Sequence, residues 1–163
     1  MAENKNLSIG VDLGGTKVAV GLCNNGEILK KSIFPTQASA GFDGVISTIL
    51  QAVKSVVGDT PLKDIRGLGI GAAGQINPAS GEVIYAPNLH WENAPLGKTL
   101  ESALGLPVKV LNDVRAPDRV RERYEKRTFH KGNRSQHCGI PDVNPDHGLC
   151  LETVLRHCGT EGE

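Results

Sequence analysis

The chain has 163 residues, a length that indicates one domain. Lysine plus arginine and aspartate plus glutamate number 18 each, so charge gives no reason to expect nucleic acid or an anionic membrane as a partner. The polar start leads directly into a strand pattern, and no apolar stretch approaches the roughly 18 residues that span a bilayer. We therefore expect a soluble cytoplasmic protein with reduced cysteines.

Alternating apolar residues predict three strands at the start of the chain, at residues 7–13, 18–22 and 28–34. Asn24-Asn25-Gly26 is a strong hairpin signal between the second and the third. Helical spacing then predicts an amphipathic helix, and the later elements follow as strand, short helix and strand, at residues 42–57, 65–70, 95–104 and 108–111. This order predicts an α/β fold with a mixed five-stranded sheet, an antiparallel meander of its first three strands and packed helices.

The turn after the first strand, Asp12-Leu13-Gly14-Gly15-Thr16-Lys17, has the composition of a phosphate-binding loop. Glycine lacks Cβ, so Gly14 and Gly15 can adopt positive φ and let backbone N–H groups come close to anionic oxygens. The Thr16 hydroxyl adds a donor, and Asp12 is expected to hold Mg²⁺ through water. From these residues alone, the alternative is an ordinary hairpin with a tolerant turn.

A second glycine motif, Gly69-Ile70-Gly71-Ala72-Ala73-Gly74, matches the spacing of dinucleotide-binding loops. Such a site needs a helix to begin at the third glycine, whereas Pro78, Ser80 and Gly81 predict turns there. We therefore expect these glycines to let a loop approach a small polar ligand. A dinucleotide-dependent oxidoreductase is the alternative.

Three motifs end strands of the predicted sheet: the turn at residues 12–17, Gly71-Ala72-Ala73-Gly74 and Leu111-Asn112-Asp113. Ala86-Pro87-Asn88-Leu89-His90-Trp91 lies between the last two. In this order the motifs resemble the N-terminal lobe of glucokinase-type sugar kinases of the ROK family (repressors, open reading frames and kinases), over about residues 7–113. The resemblance implies an actin-like, ribonuclease-H-like ATPase fold for residues 1–115.

The resemblance also implies ATP-dependent phosphorylation of a hexose, with glucose as the expected substrate. The turn residues Asp12, Gly14, Gly15, Thr16 and Lys17 would face the phosphates of ATP and its Mg²⁺. The sugar would be held by Gly74, Asn88, Asn112 and Asp113, with Asp113 as the general base. Chemistry supports that base independently, because a hexose hydroxyl must lose its proton as the γ-phosphoryl group arrives.

Simpler interpretations remain open for several residues of these motifs. Asn112-Asp113 has the composition of a helix cap or turn. Asn88 follows Pro87, so it can be a turn asparagine. Trp91 is expected to serve packing.

Residues 116–163 have a different composition and hold four of the five histidines and three of the four cysteines. The basic run at 119–134 suggests a polyanion-binding helix or a solvated segment. The His/Cys pairs His137-Cys138, His147 with Cys150, and His157-Cys158 suggest zinc, but their spacing matches neither the family's zinc loop nor a paired C-x-x-C knuckle.

The family's second lobe is not recognisable in this tail, and a reading-frame change would produce such a composition. We therefore expect a truncated or frame-altered, weakly active kinase that self-associates through its exposed lobe face. The alternative is a non-catalytic sugar-binding or interaction protein derived from the same family. Because the glycine turn begins about ten residues into the chain, we expect no DNA-binding domain before it.

Overall fold

The structure is a computed structural model that describes residues 6–25 and 27–112. In chain order its elements are β1 (Leu7–Leu13), β2 (Lys17–Asn24), β3 (Glu27–Pro35), α1 (Gly41–Val57), β4 (Ile65–Ala72), β5 (Gln75–Asn77), β6 (Glu82–Ala86), β7 (Trp91–Ala94), α2 (Leu96–Leu104) and β8 (Val108–Asn112). Short 3-10 turns at Ala38–Ala40 and Leu62–Asp64 precede α1 and β4.

Five strands form one mixed sheet in the order β3-β2-β1-β4-β8. The first three strands are an antiparallel meander, and β1, β4 and β8 run parallel. The predicted mixed five-stranded sheet with its antiparallel meander is confirmed.

The core lies on one face of this sheet. Val20, Val11, Ile70 and Val110 are successive register partners across four strands, and each is at most 1% exposed. Ser32 pairs with Val20 and so shares that face, where its Oγ accepts a 2.9 Å hydrogen bond from the Ser55 hydroxyl of α1. The predicted amphipathic helix therefore packs its apolar side on this face, where burial of each aliphatic side chain is worth about 1.5–3 kcal/mol.

The sequence expectation about apolar length was wrong in one respect. Within the described part of the chain, the helical segment Ala38–Val57 has 20 residues and a mean hydropathy of 1.2, enough by length and composition to cross a membrane. Its buried residues, which include Val45, Ile49 and Val53, pack on β2 and β3. This is the packing of a core helix.

A second, three-stranded antiparallel sheet, in the order β5-β6-β7, was not predicted as strands. The turn expected around Pro78 is present, because the Gly81 N–H donates to the Asn77 carbonyl at 2.9 Å and the Ala79 N–H donates to Asn77 Oδ1 at 3.1 Å. It joins β5 to β6. These strands have three to five residues and burial does not alternate along them, so they carry no period-two signal.

The second helix attaches this small sheet to the large one. Pro95 immediately precedes α2 rather than lying in its first turn, and Gly105 ends it in the left-handed conformation, as expected. The Gly97 N–H donates to the Gly81 carbonyl at 2.9 Å. A Cβ on Gly97 would lie 3.1 Å from Gly81 Cα and 3.4 Å from Val110 Cγ2, so this close approach requires glycine.

We predict that Ile49→Ala in α1 lowers the free energy of unfolding by about 2–5 kcal/mol, because it leaves a cavity at a fully buried position. Urea denaturation measures the loss. Gln51→Ala, at an exposed position of the same helix, is the control and should change stability by less than about 0.5 kcal/mol. Equal effects of the two substitutions would contradict the packing of α1 on the sheet.

Candidate functional site

The parallel strands bring the predicted motifs to one edge of the large sheet. Leu13 pairs with Ala72, and Ala72 pairs with Asn112, so β1, β4 and β8 end side by side. The glycine turn directly follows β1, Gly74 lies two residues after the end of β4, and Asn112 is the last residue of β8. The sheet therefore places the phosphate and sugar candidates along a single edge, which is where ligands bind in open α/β sheets.

The glycine turn is closed by a hydrogen bond from the Gly14 N–H to the Lys17 carbonyl at 3.0 Å. Neither Gly14 nor Gly15 has positive φ, although glycine permits it. Close approach favours glycine here: a Cβ on Gly14 would lie 3.2 Å from the Lys17 oxygen, and a Cβ on Gly15 would lie 3.1 Å from the Asn88 oxygen. The turn thus lies directly against the segment that holds Asn88.

Thr36, just after β3, contacts this turn and was missed by the sequence reasoning. Its side chain is fully buried. The Thr36 hydroxyl donates to the Gly14 carbonyl at 2.7 Å, and the Thr36 N–H donates to the Thr16 carbonyl at 2.9 Å. A lone threonine after Pro35 has no periodic signal, so only the folded structure reveals its partners.

Asp12 is 8% exposed and lies one residue before the end of β1. Its register partners are Ala19 and Gly71, so the neighbouring strands place only small residues beside it. Mg²⁺ takes oxygen ligands and is commonly held by one or two carboxylates together with waters and phosphates. The donor type and its uncrowded position fit that ion, although no group of three or more His, Cys, Asp or Glu side chains occurs among the described residues.

Asn88 lies in the turn between β6 and β7. The Leu89 N–H donates to the Ala86 carbonyl at 3.1 Å, and the His90 N–H donates to the Pro87 carbonyl at 3.3 Å. Asn88 is exposed, and its backbone oxygen, Cβ and Nδ2 are the atoms that lie nearest to Gly15. Asn88 is therefore a turn residue, as the simpler interpretation expected, and its side chain is accessible to a ligand.

Gly74 and Asn112 contact each other, because Asn112 Nδ2 donates to the Gly74 carbonyl. Gly74 has φ 132°, and a Cβ there would overlap the Tyr85 carbonyl oxygen and lie 3.1 Å from Ala86 Cβ. The strand β5 follows Gly74, so the helix that a dinucleotide motif requires at its third glycine is not present. The glycine approaches backbone of the small sheet.

These contacts join the candidates into one continuous path. It runs from the glycine turn to Asn88, from the backbone of residues 85–86 to Gly74, and from Gly74 to Asn112. Asp113, the predicted base, lies outside the described residues. So do Gly26 of the hairpin signal, the domain boundary expected at 115 and the tail with its basic run and His/Cys pairs.

Trp91 is 4% exposed and meets Phe42 edge to face, with ring centroids 5.0 Å apart. Both rings line a shallow groove of about 490 Å³ between the start of α1 and residues 89–95. The groove lies beside the site, since none of the predicted phosphate or sugar residues lines it. This placement agrees with a packing role for Trp91.

The sheet order is that of the actin-like ATPase fold, and solved structures of sugar kinases match it. A ROK family glucokinase from Streptomyces griseus, in complex with glucose and AMPPNP, aligns with a TM-score of 0.62 and 37% identity, covering 68% of this chain and 34% of that one. The model of the ROK family matches residues 8–127. The chain belongs to the ROK family.

Two curated relatives show the range of that family. A glucokinase from Streptomyces coelicolor is 40% identical over 112 residues, which cover 68% of this chain and 33% of the relative. A xylose repressor from Caldicellulosiruptor bescii is 32% identical over 111 residues, covering 66% and 28%. The chain therefore spans about a third of the length of the relatives it matches, and both kinases and repressors share this segment.

We predict that Gly74→Ala destabilises the fold by about 3 kcal/mol or more, because backbone strain of about 1–3 kcal/mol is joined by overlap with the small sheet. Thermal and urea unfolding measure this change.

Gly105→Ala is the matched control. Gly105 also has positive φ, at 66°, but no atom within 4 Å of its added Cβ, so the loss there should be about 1 kcal/mol. Equal losses at the two glycines would show that Gly74 is not pressed against residues 85–86.

Proposed function

We propose that this chain carries the phosphate turn and the sugar-binding edge of an ATP-dependent hexose kinase, which converts glucose to glucose 6-phosphate. The observation that supports this proposal is the continuous contact path from the glycine turn through Asn88 and Gly74 to Asn112. A kinase must hold a phosphate donor and a hydroxyl acceptor next to each other, and this path joins a candidate site for each.

In this proposal the turn at residues 12–17 receives the phosphates of ATP. Gly14 and Gly15 allow the backbone to approach anionic oxygens closely, and Thr16 and Lys17 add a hydroxyl and a cation. Asp12 would hold the Mg²⁺ that accompanies the nucleotide, and the bound ion would neutralise charge on the transferring phosphoryl group.

The acceptor sugar lies along the other part of the edge. Gly74, Asn88 and Asn112 bind its hydroxyls, and Asp113, which directly follows Asn112 in sequence, is the general base. It takes the hydroxyl proton as the sugar oxygen forms a bond to the γ-phosphorus. The bond from that phosphorus to the β–γ bridging oxygen breaks, and ADP leaves.

The family relation makes glucose the first substrate to test, since the Streptomyces griseus kinase was solved with glucose and AMPPNP. Phosphoryl transfer depends on positioning, which can be worth roughly 7–11 kcal/mol of the barrier. The chain spans about a third of its kinase relatives. We therefore propose that these 163 residues alone bind the ligands more readily than they turn them over.

The second candidate is a non-catalytic protein that binds a sugar. The similarity to a xylose repressor over the same residues supports this second candidate. In that case the shared segment binds a sugar and transfers no phosphoryl group. Both candidates bind a sugar at the same edge of the large sheet, and only the kinase needs a general base. A measurement of glucose phosphorylation therefore distinguishes them.

We predict that glucose and ATP-Mg²⁺ together raise the melting temperature of the full chain. A ligand at 100 times its Kd stabilises the folded state by about 2.7 kcal/mol if it binds only that state. Differential scanning fluorimetry measures the shift, with NAD as the comparison ligand. A shift with NAD and none with ATP would favour the oxidoreductase alternative.

The variant for this experiment is Asn88→Ala. Asn88 is exposed, so we expect the free energy of unfolding of the variant without ligand to stay within about 0.5 kcal/mol of the wild-type value. The glucose-dependent shift should fall, because a buried or shared hydrogen bond to sugar contributes about 0.5–1.5 kcal/mol. An unchanged glucose shift would leave Asn88 with its turn role alone.

We also predict that Asp113→Asn abolishes any glucose phosphorylation by the chain while glucose still raises its melting temperature. The amide retains hydrogen bonding but accepts no proton, and loss of a general base typically costs about 10²–10⁴-fold in rate. A coupled assay for ADP measures turnover. Equal rates for wild type and variant would remove Asp113 from the mechanism, and rapid wild-type turnover would contradict the weak activity proposed for this chain.

A further inference from the structure

We infer that Thr36 is a positioning residue for the phosphate turn, a role that rests on the proposed function of that turn. Thr36 is fully buried at the end of β3, 22 residues along the chain from Gly14. It touches no predicted ligand atom itself. It acts on the two carbonyl groups that flank the middle of the turn.

The two hydrogen bonds have separate origins. The Thr36 N–H donates to the Thr16 carbonyl at 2.9 Å and continues the antiparallel ladder of β2 and β3 beyond the Lys17–Pro35 pair. That ladder delivers the side chain to the turn, where its hydroxyl donates to the Gly14 carbonyl at 2.7 Å. One residue therefore fixes the Gly14 and Thr16 carbonyls, on either side of the peptide group at the centre of the turn.

The orientation of the Gly14 carbonyl determines where the next N–H points. The peptide group is planar and no cis peptide occurs in the described residues, so the C=O of Gly14 and the N–H of Gly15 point in opposite directions. Because the Gly14 oxygen is held toward buried Thr36, the Gly15 N–H is directed away from it. A backbone N–H held in this way is preorganised for a phosphate oxygen.

The other side of the turn is restrained by packing. A Cβ on Gly15 would lie 3.1 Å from the Asn88 oxygen and 3.2 Å from Asn88 Cβ, so the turn has little room to move in that direction. Without the Thr36 hydroxyl, the Gly14 peptide is free to rotate within this space. Glycine makes such rotation inexpensive, since it adopts more backbone conformations than any other residue. The hydroxyl thus compensates for the flexibility that the two glycines introduce.

The test uses the full chain with Thr36→Val, which has nearly the same shape but no hydroxyl, and Thr36→Ser, which keeps the donor. Thr48→Val is the matched control. Thr48 is 6% exposed, and its hydroxyl donates to the Gly44 carbonyl at 3.0 Å inside α1. Each valine variant therefore removes one buried hydroxyl that donates to a glycine carbonyl, and only one of them does so at the phosphate turn.

Amide hydrogen exchange, followed residue by residue by NMR, decides the inference. We expect Thr36→Val to accelerate exchange by about tenfold, the scale of one lost hydrogen bond, at Gly14 and residue 36, whose N–H groups donate to the Lys17 and Thr16 carbonyls, with little change in the strand amides of β1. Thr36→Ser should restore the wild-type rates, and Thr48→Val should leave the turn unchanged. Equal acceleration across the whole chain, or the same turn rates in Thr36→Val and wild type, would overturn it.

Titration with ATP-Mg²⁺ by calorimetry separates this inference from the proposed function. If the wild-type chain binds the nucleotide, Thr36→Val should weaken binding by about tenfold and Thr36→Ser should rescue it. If the wild type binds none, the kinase proposal fails for this chain, whereas the exchange rates still decide the positioning role. Should Thr36→Val fail to fold, Thr36→Cys keeps a similar size with only a weak donor, and its turn amides should exchange faster than those of Thr36→Ser.

Discussion

The parallel pairing of β1, β4 and β8 is the constraint on which both the core and the site depend. The register that stacks Val11, Ile70 and Val110 in one buried row also sets Leu13, Ala72 and Asn112 side by side at the carboxyl edge. A slip of one residue would turn each apolar side chain to the opposite face, and a slip of two would move a strand end by about 6.6 Å. Packing of the core therefore fixes the spacing of the site.

Close backbone approach connects the small sheet to that edge. Gly15 lies against Asn88, Gly74 lies against residues 85–86, and Gly97 lies against Gly81. At each of these three positions the neighbouring atoms leave less room than a Cβ ordinarily occupies, so all three favour glycine. The small sheet thereby carries Asn88 to the phosphate turn and supports the carbonyl to which Asn112 donates. The site is consequently shared by two sheets.

Long periodic segments made the large sheet and α1 predictable, because alternation over β1 and helical spacing over α1 each repeat several times. The strands of the small sheet were not predicted, because burial does not alternate along them. The sequence allowed positive φ at Gly14 and Gly15, but glycine is favoured there by close approach to Lys17 and to Asn88, and the second of these is a tertiary contact. Thr36 acts across 22 residues and leaves no local signal. Asp113 remains a prediction from chemistry and resemblance.

The contact between Gly15 and Asn88 has a consequence for phosphoryl transfer. Thr36 holds the glycine turn on one side, and Asn88 packs against it on the other. The distance between the proposed phosphate site and the proposed sugar site is therefore fixed. Well-packed interiors do not deform continuously. A sugar bound at Asn88 and Asn112 would therefore have a defined position relative to the phosphate turn before any other part of a longer kinase closes over them. Phosphoryl transfer depends on positioning of the two reactants, and such preorganisation would be the contribution of this segment to it.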